Sequence, residues 1–177
     1  EQRGYSASMI GANTAVAGIA SIAAAPLATP LAARFDVVPT ILAMIVLGAL
    51  SFLGFYFAQA FWMWFPLRAV LHVALTMLFI LSEYWISMSA PPKHRGLVLG
   101  VYATVLSLGF AFGPWLFALM GSQGFLPFGT AFVIVMVAAI PVVAAWRESP
   151  LMLEDSESKG GFLRYVWLVP TATARFS

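Results

Sequence analysis

Uncharged stretches long enough to cross a lipid bilayer are the feature that most constrains this chain. Residues 97–146 contain no Asp, Glu, Lys or Arg, and residues 10–33 contain none either. About 20 apolar residues in a helix are enough to cross the hydrocarbon core, which is roughly 30 Å thick. Charged residues make up only 9% of the chain and its mean hydropathy is +0.92, whereas soluble domains are about 25% charged. The sequence therefore predicts an all-α membrane protein.

Proline, glycine and polar residues interrupt the uncharged stretches and divide them into five predicted transmembrane helices. A polar connection before Pro39 ends the first helix, the Pro91 and Pro92 turn ends the third, and a turn from Gly121 to Pro127 divides the longest stretch. The predicted helices cover about residues 10–33, 39–60, 66–88, 96–120 and 126–147.

The remainder of the chain changes in composition after Trp146. Residues 149–161 are charged and contain Ser and Gly, which predicts a cytoplasmic linker. Residues 162–177 begin with an apolar run that is too short to cross, so we expect the truncated start of a further helix. The chain also begins at Glu1 without a basic, cleavable leader, which indicates an internal start. Residues 1–148 would form a partial helical bundle.

The distribution of basic residues predicts the orientation of the bundle. Cytoplasmic connections of membrane proteins carry an excess of Lys and Arg. The predicted helices place Arg3, and arguably Arg68, on one side, and on the other side Arg34, Lys93, Arg95, Arg147, Lys159 and Arg164. The second side is therefore expected to be cytoplasmic, and the five helices to start outside and end inside.

The predicted third helix carries ionisable groups along one face. At about 100° per residue, Arg68, His72 and Glu83 share this face with Thr76 and Ser87. Ionisable side chains inside a span are costly and normally face a bundle interior or a watery path. Arg68 and Glu83 lie roughly 22 Å apart along the axis, so they cannot pair within the helix.

Two of these side chains have alternative interpretations. Arg68 lies near the helix end, from which it could extend its charge to the membrane surface. His72 could be an unpaired neutral imidazole in a contact between helices.

Two rows of small or polar residues run along the predicted first helix, and both are typical of close helix packing. One row recurs every seven residues and the other every four: Gly11, Gly18 and Ala25, and Asn13, Ala17 and Ser21. An alternative is that Asn13 and Ser21 face an aqueous cavity. At the end of the predicted second helix, a run of aromatic residues indicates anchoring at a membrane surface: Phe55, Tyr56, Phe57, Phe61, Trp62, Trp64 and Phe65.

Several function classes lack support in the sequence. The chain has no cysteine, and His72 and His94 are isolated, so no metal site is expected. No nucleophile, base and oxyanion-binding set is recognisable, which argues against an enzyme, and no cofactor is predicted. The net charge of +2 is too small to indicate nucleic-acid binding. The predicted partner is the lipid bilayer.

The predicted fourth helix resembles the fifth-helix glycine motif of the major facilitator superfamily. Four positions match its spacing, and two more open the helix as in many members: Gly100, Gly109, Gly113 and Pro114, and Arg95 and Gly96. Glycines permit close approach of a second backbone, and the Gly-Pro pair bends the helix. Phe117 and Ala118 replace the glycine pair that usually ends the motif in antiporters.

Two other superfamily signatures are partly preserved. Arg34 matches the arginine of the loop between the second and third helices, but Ala33 replaces its usual aspartate and Asp36 its usual glycine. Arg68 matches a fourth-helix arginine that is linked to proton coupling in the family, and His72 replaces a glycine that follows it. The resemblance covers residues 1–174.

The resemblance implies that this chain supplies helices two to six, and the start of helix seven, of a secondary active transporter. Its remaining partners would be helix one and the C-terminal half of the parent protein, together with an unknown small-molecule substrate. Such transporters work by alternating access between two halves. Proton-coupled antiport through Glu83, His72 or Arg68 is a finer expectation. The alternative is a non-transporting membrane sensor or assembly protein on the same scaffold.

Overall fold

A computed structural model describes residues 6–121 and 124–148 of the chain. The predicted linker at residues 149–161 and the predicted helix start at residues 162–177 lie outside the described residues. Within the described part, the chain forms helices joined by turns, with no β-strand. The prediction of an all-α protein is confirmed.

Seven α-helices and three short 3₁₀ turns make up the described residues. The α-helices are α1 (Ala7–Ala24), α2 (Ala28–Phe35), α3 (Val37–Phe57), α4 (Trp64–Ser89), α5 (Arg95–Met120), α6 (Leu126–Val137) and α7 (Ala139–Ala144). The 3₁₀ turns are Ala25–Leu27, Phe61–Met63 and Trp146–Glu148.

These elements combine into five helical segments that are long and apolar enough to cross a membrane: Ala7–Phe35, Val37–Phe57, Phe61–Ser89, Arg95–Met120 and Leu126–Ala144. The five predicted helices are therefore confirmed, and their ends differ from the structure by a turn or less except at the start of the third. That segment begins at Phe61 rather than at Pro66. Pro66 is tolerated in the first turn of α4 because a backbone N–H has no partner there.

Proline divides the first and last segments without ending them. Pro26 lies in the 3₁₀ turn between α1 and α2, and Pro141 lies in α7 just beyond the break at Ala138. Proline has no N–H to donate and its ring crowds the preceding turn, so each segment changes its helical geometry there. Both segments nevertheless remain long enough to span.

Helix α4 lies at the centre of the packing, against α1 and α3, while α3 also packs on α6. The shared core combines small residues of the first segment with larger residues of α3 and α4: Ala24, Ala28, Ala32, Val37, Ile41, Ile45, Met77 and Leu81. The alanines allow the first segment to approach α4 closely. Helix α5 has no buried residue among those described.

One of the contacts between α3 and α4 is made at Gly48. A Cβ atom added at Gly48 would lie 3.7 Å from the Cβ atom of Ala74, which is ordinary van der Waals contact. Gly48 and Ala74 are both buried. This contact between two small residues allows the two helices to pack closely and thereby helps to position the polar face of α4.

Candidate functional site

The polar face of α4 points away from the packed face of the same helix. Counting about 100° per residue from Arg68, the polar residues Arg68 to Ser87 span roughly the first 100° of the helix circumference. The buried residues of α4 lie between about 180° and 300°: Leu71, Ala74, Met77 and Leu81. The expectation that the ionisable groups share a face is met, and that face lies opposite the contacts with α1 and α3.

Arg68 lies in the second turn of α4 and is half-buried. Its Nε atom is buried and has no hydrogen-bond partner among the described residues. Across the part of the chain that the structure describes, Arg68 makes no ion pair. The guanidinium keeps its charge inside proteins, so its positive charge is left uncompensated by these five segments.

His72 lies one turn after Arg68 and is tied to it through the backbone. The Nδ1 atom of His72 lies 2.9 Å from the carbonyl oxygen of Arg68. A carbonyl oxygen only accepts, so this hydrogen bond favours the tautomer in which Nδ1 carries the hydrogen and Nε2 keeps its lone pair. The imidazole is therefore oriented by its own helix rather than unpaired.

Glu83 is exposed near the other end of α4, and among the described residues its carboxylate has no hydrogen bond or ion pair. Its neighbour Ser82 contributes a hydroxyl that lies 3.0 Å from the hydroxyl of Tyr102 on α5. This bond, which the sequence did not predict, links α4 to α5 beside Glu83. A tyrosine hydroxyl inside a membrane-spanning helix needs a polar partner. The presence of Tyr102 in the sequence was therefore the one indication that such a bond would form.

Asn13 is buried, with 4% of its surface exposed. Helix α1 packs mainly on α4, so its buried stripe, which also includes Ala17, faces α4. The amide Nδ2 of Asn13 has no hydrogen-bond partner within the described residues. Close packing is confirmed for the row of Asn13 and Ala17, whereas a Cβ added at Gly11 or Gly18 would meet no described atom within 4 Å.

The family-motif glycines of α5 also lie in open space. A Cβ added at any of them would meet nothing within 4 Å in the described structure: Gly96, Gly100, Gly109 and Gly113. Pro114 lies inside the continuous helix α5. The expected close backbone contact is therefore not made by the described helices, and it stays a prediction about other parts of the parent protein.

Aromatic residues pack on one another at the connection between α3 and α4. The rings of Trp62 and Phe65 are stacked with centroids 5.6 Å apart, and Phe61 meets Phe65 edge-on at 5.4 Å. The indole Nε1 of Trp64 donates to the carbonyl oxygen of Ala58 at 3.3 Å. A tryptophan ring that is mostly apolar but has a hydrogen-bonded N–H is well suited to the surface of a membrane. This supports the predicted anchoring role of the aromatic residues.

Asp36 has a backbone conformation that favours glycine. Its φ is 67° and its ψ is 159°, a region that is essentially restricted to glycine. The carbonyl oxygen of Asp36 accepts hydrogen bonds from the Thr40 hydroxyl at 2.7 Å and from the Thr40 N–H at 3.3 Å. The tight connection between α2 and α3 therefore imposes strain on the residue that replaces the family's glycine.

Replacing Asp36 by Gly is expected to stabilise the protein by about 1 kcal/mol. Strain in this backbone region costs about 1–3 kcal/mol, and part of its relief is offset by the higher chain entropy of glycine. The measurement is thermal unfolding of the purified full-length protein in detergent. Asp36→Ala is the matched control because it removes the carboxylate but keeps the strain. Equal stabilities of the two variants would show that backbone strain is not the cause.

The described residues bring together no three His, Cys, Asp or Glu side chains that could hold a metal ion. The polar groups that they place within the spans are instead the guanidinium of Arg68 near one end of α4, the carboxylate of Glu83 near the other end, and the buried amide of Asn13 on α1. His94, Lys93 and Arg95 are exposed in the turn before α5 and at its first residue.

Comparisons with known proteins agree with this architecture. The sequence profile of the Major Facilitator Superfamily matches residues 1–174. The uncharacterized MFS-type transporter YfkF of Bacillus subtilis (strain 168) is 34% identical over 89 residues, which are 48% of this chain and 23% of that protein. The aligned part thus spans less than a quarter of the relative's length. No solved structure matches the chain significantly.

Proposed function

Because the chain belongs to the major facilitator superfamily, we propose that the full-length protein is a secondary active transporter that moves a small molecule by alternating access. The chain is an integral, multi-pass membrane segment with five spanning helices. It would supply helices two to six, and the start of helix seven, with the transport path between this half and the second half. The proposed location is the bacterial inner membrane, with the basic connections in the cytoplasm.

The observation that carries this proposal is the ionisable face of α4. Arg68, His72 and Glu83 lie on a membrane-spanning helix, yet they point away from its packed face. Such groups are too costly to leave in lipid and normally line a path for ions or substrates. A water-filled cavity between the two halves of a transporter accounts for a face that is polar and turned away from the bundle.

We further propose that transport is coupled to protons through this face. Glu83 has a carboxylate without a partner among the described residues, and His72 has a ring nitrogen left free by its backbone hydrogen bond. Both groups can exchange a proton when water reaches them. Arg68 would supply a fixed positive charge in the same path.

The proposal is tested by flux measurements on the full-length protein in proteoliposomes. We expect an imposed pH gradient to drive the movement of at least one solute from a broad panel of small anions, cations and neutral molecules. A protonophore should remove this movement, and liposomes without protein give the background. If no solute moved under any gradient, the non-transporting sensor or assembly protein would become the better interpretation.

A further inference from the structure

Helix α5 packs lightly on the rest of the described bundle. None of its residues is buried among those described, and it contacts α4 and α6 far less extensively than α1 or α3 contacts α4. At the contact with α4, the ring of Tyr102 lies beside the ring of Phe79, with centroids 6.5 Å apart, and its hydroxyl lies 3.0 Å from the Ser82 hydroxyl. Tyr102 therefore contributes both an apolar and a polar contact to α4.

The direction of the hydrogen bond between Ser82 and Tyr102 follows from a second contact of Ser82. The Ser82 hydroxyl donates to the carbonyl oxygen of Phe79 on its own helix, at 3.0 Å. A serine hydroxyl has one hydrogen to donate but can accept as well. Ser82 therefore accepts from Tyr102, and the tyrosine hydroxyl is the donor between the two helices.

Separating α5 from α4 would affect the two hydroxyl groups unequally. Ser82 would keep its bond to the carbonyl oxygen of Phe79, whereas the Tyr102 hydroxyl would lose its acceptor. A polar group without a partner is costly in the hydrocarbon of a membrane, but water satisfies such a group wherever it is present. The contact is therefore stable while its surroundings are dry, and it is easily broken once water enters.

The contact lies at a depth that water from one side of the membrane can reach. Ser82 and Tyr102 each lie about 10 Å along their helix from the turn that joins α4 to α5, and both are half-buried rather than enclosed in the core. Glu83, beside Ser82, is exposed, and a carboxylate inside a span normally meets water. A cavity that opens toward the basic turn would therefore wet this contact.

We infer that the Ser82–Tyr102 contact is a water-sensitive latch, which holds α5 on α4 while this end of the transport path is closed and releases α5 when water enters. Tyr102 is a positioning residue, because it acts through the position of α5. The inference rests on the proposed transport function, since it assigns a helix movement to alternating access. It concerns a distance between helices, however, and can be measured without transport.

The test measures the distance between α4 and α5 in the full-length protein in lipid nanodiscs. Cysteines replace Leu75 and Leu108, which are exposed on the two helices and lie about 10 Å beyond the contact, farther from the turn. This chain has no cysteine of its own, and any cysteine elsewhere in the protein is replaced by serine. Pulsed electron paramagnetic resonance between spin labels at the two sites gives the fractions of near and far arrangements.

Osmotic stress tests the dependence on water. A polymer too large to enter the transport path withdraws water from it, so we expect the far fraction of the unmodified protein to fall severalfold as polymer is added. Tyr102→Phe keeps the ring but needs no hydrogen-bond partner. Its far fraction should be severalfold larger without polymer and should respond less when polymer is added.

Two further variants locate the effect. Ser82→Ala removes the acceptor and should also raise the far fraction, and it decides the result if Tyr102→Phe does not fold. Tyr56→Phe is the matched control, because it removes the hydroxyl of an exposed tyrosine on α3 that is remote in sequence from the contact. Its distances should match those of the unmodified protein at every polymer concentration.

Two results would overturn the inference. If Tyr102→Phe and Ser82→Ala gave the distances of the unmodified protein, the hydrogen bond would not hold α5. If the unmodified protein gave the same distances at every polymer concentration, the contact would be a permanent structural bond. Solute flux without a change of distance would reject this inference alone, whereas a polymer-dependent distance without any flux would reject the transport proposal alone.

Discussion

Replacing Glu83 by Gln is expected to abolish proton-driven transport by the full-length protein while leaving substrate exchange in place. Glutamine has nearly the size of glutamate, so the helix should keep its geometry. Glutamine cannot bind and release a proton, however. If Glu83 carries the coupling proton, the substitution should therefore remove the coupling completely. We expect uptake driven by a pH gradient to fall to the background of empty liposomes.

The structure supports this expectation through the surroundings of Glu83. Its carboxylate is exposed and has no partner among the described residues, so a structural salt bridge within this part of the protein does not explain it. The nearby hydrogen bond between Ser82 and Tyr102 at 3.0 Å holds α5 against α4. A carboxylate without a partner, next to a contact between helices, is well placed to bind a proton from water.

The decisive measurement compares two kinds of transport in the same proteoliposomes. Exchange of labelled for unlabelled substrate needs no net proton movement and should persist in Glu83→Gln. Uptake driven by a pH gradient should be lost. Glu83→Asp, which keeps the carboxylate, is the matched control and should retain part of the driven uptake. Full proton-driven uptake by Glu83→Gln would remove Glu83 from the mechanism.

The spanning helices were predictable from the sequence because membrane insertion depends on local composition. Residues 97–146 had to contain two helices, since one helix of that length would far exceed the bilayer, and the structure has α5 in one span and α6 with α7 in the other. The shared face of Arg68, His72 and Glu83 was also predictable. It depends only on the 3.6-residue period of a helix.

The partner of each face was not predictable, because periodicity does not identify a neighbour. Both rows of small residues on α1 were candidates for close packing, but only the row with Asn13 and Ala17 meets a described helix. Gly11 and Gly18 meet none within 4 Å. Deciding between two such rows requires the position of α4, which depends on contacts between residues more than 50 positions apart.

The local backbone conformation could likewise not be predicted from the sequence pattern. Asp36 departs from the glycine usual in the family, but only its φ of 67° shows that the connection demands a conformation unfavourable for aspartate. The hydrogen bond of His72 to the Arg68 carbonyl is a similar case. A spacing of four residues permits this bond but does not establish it, because the imidazole could equally face a neighbouring helix.

Replacing Gly48 by Leu is expected to destabilise the protein by about 1–3 kcal/mol, the usual cost of overpacking a filled interior. A Cβ at Gly48 would lie 3.7 Å from the Cβ atom of Ala74, so a single methyl group fits but a larger side chain must push α3 and α4 apart. Gly48→Ala should therefore be tolerated, and its better helix propensity would favour it by up to about 1 kcal/mol. Thermal unfolding of the full-length protein in detergent measures both variants.

Ala43→Leu provides the matched control, since Ala43 lies on the same helix but is exposed on the described structure. It adds the same side chain without entering the contact between α3 and α4, so its melting temperature should stay near that of the unmodified protein. Because α3 helps to position the polar face of α4, Gly48→Leu should also reduce flux in proteoliposomes even in the fraction that remains folded. If Gly48→Leu unfolded no earlier than Ala43→Leu, the small-residue contact would not set the spacing of these helices.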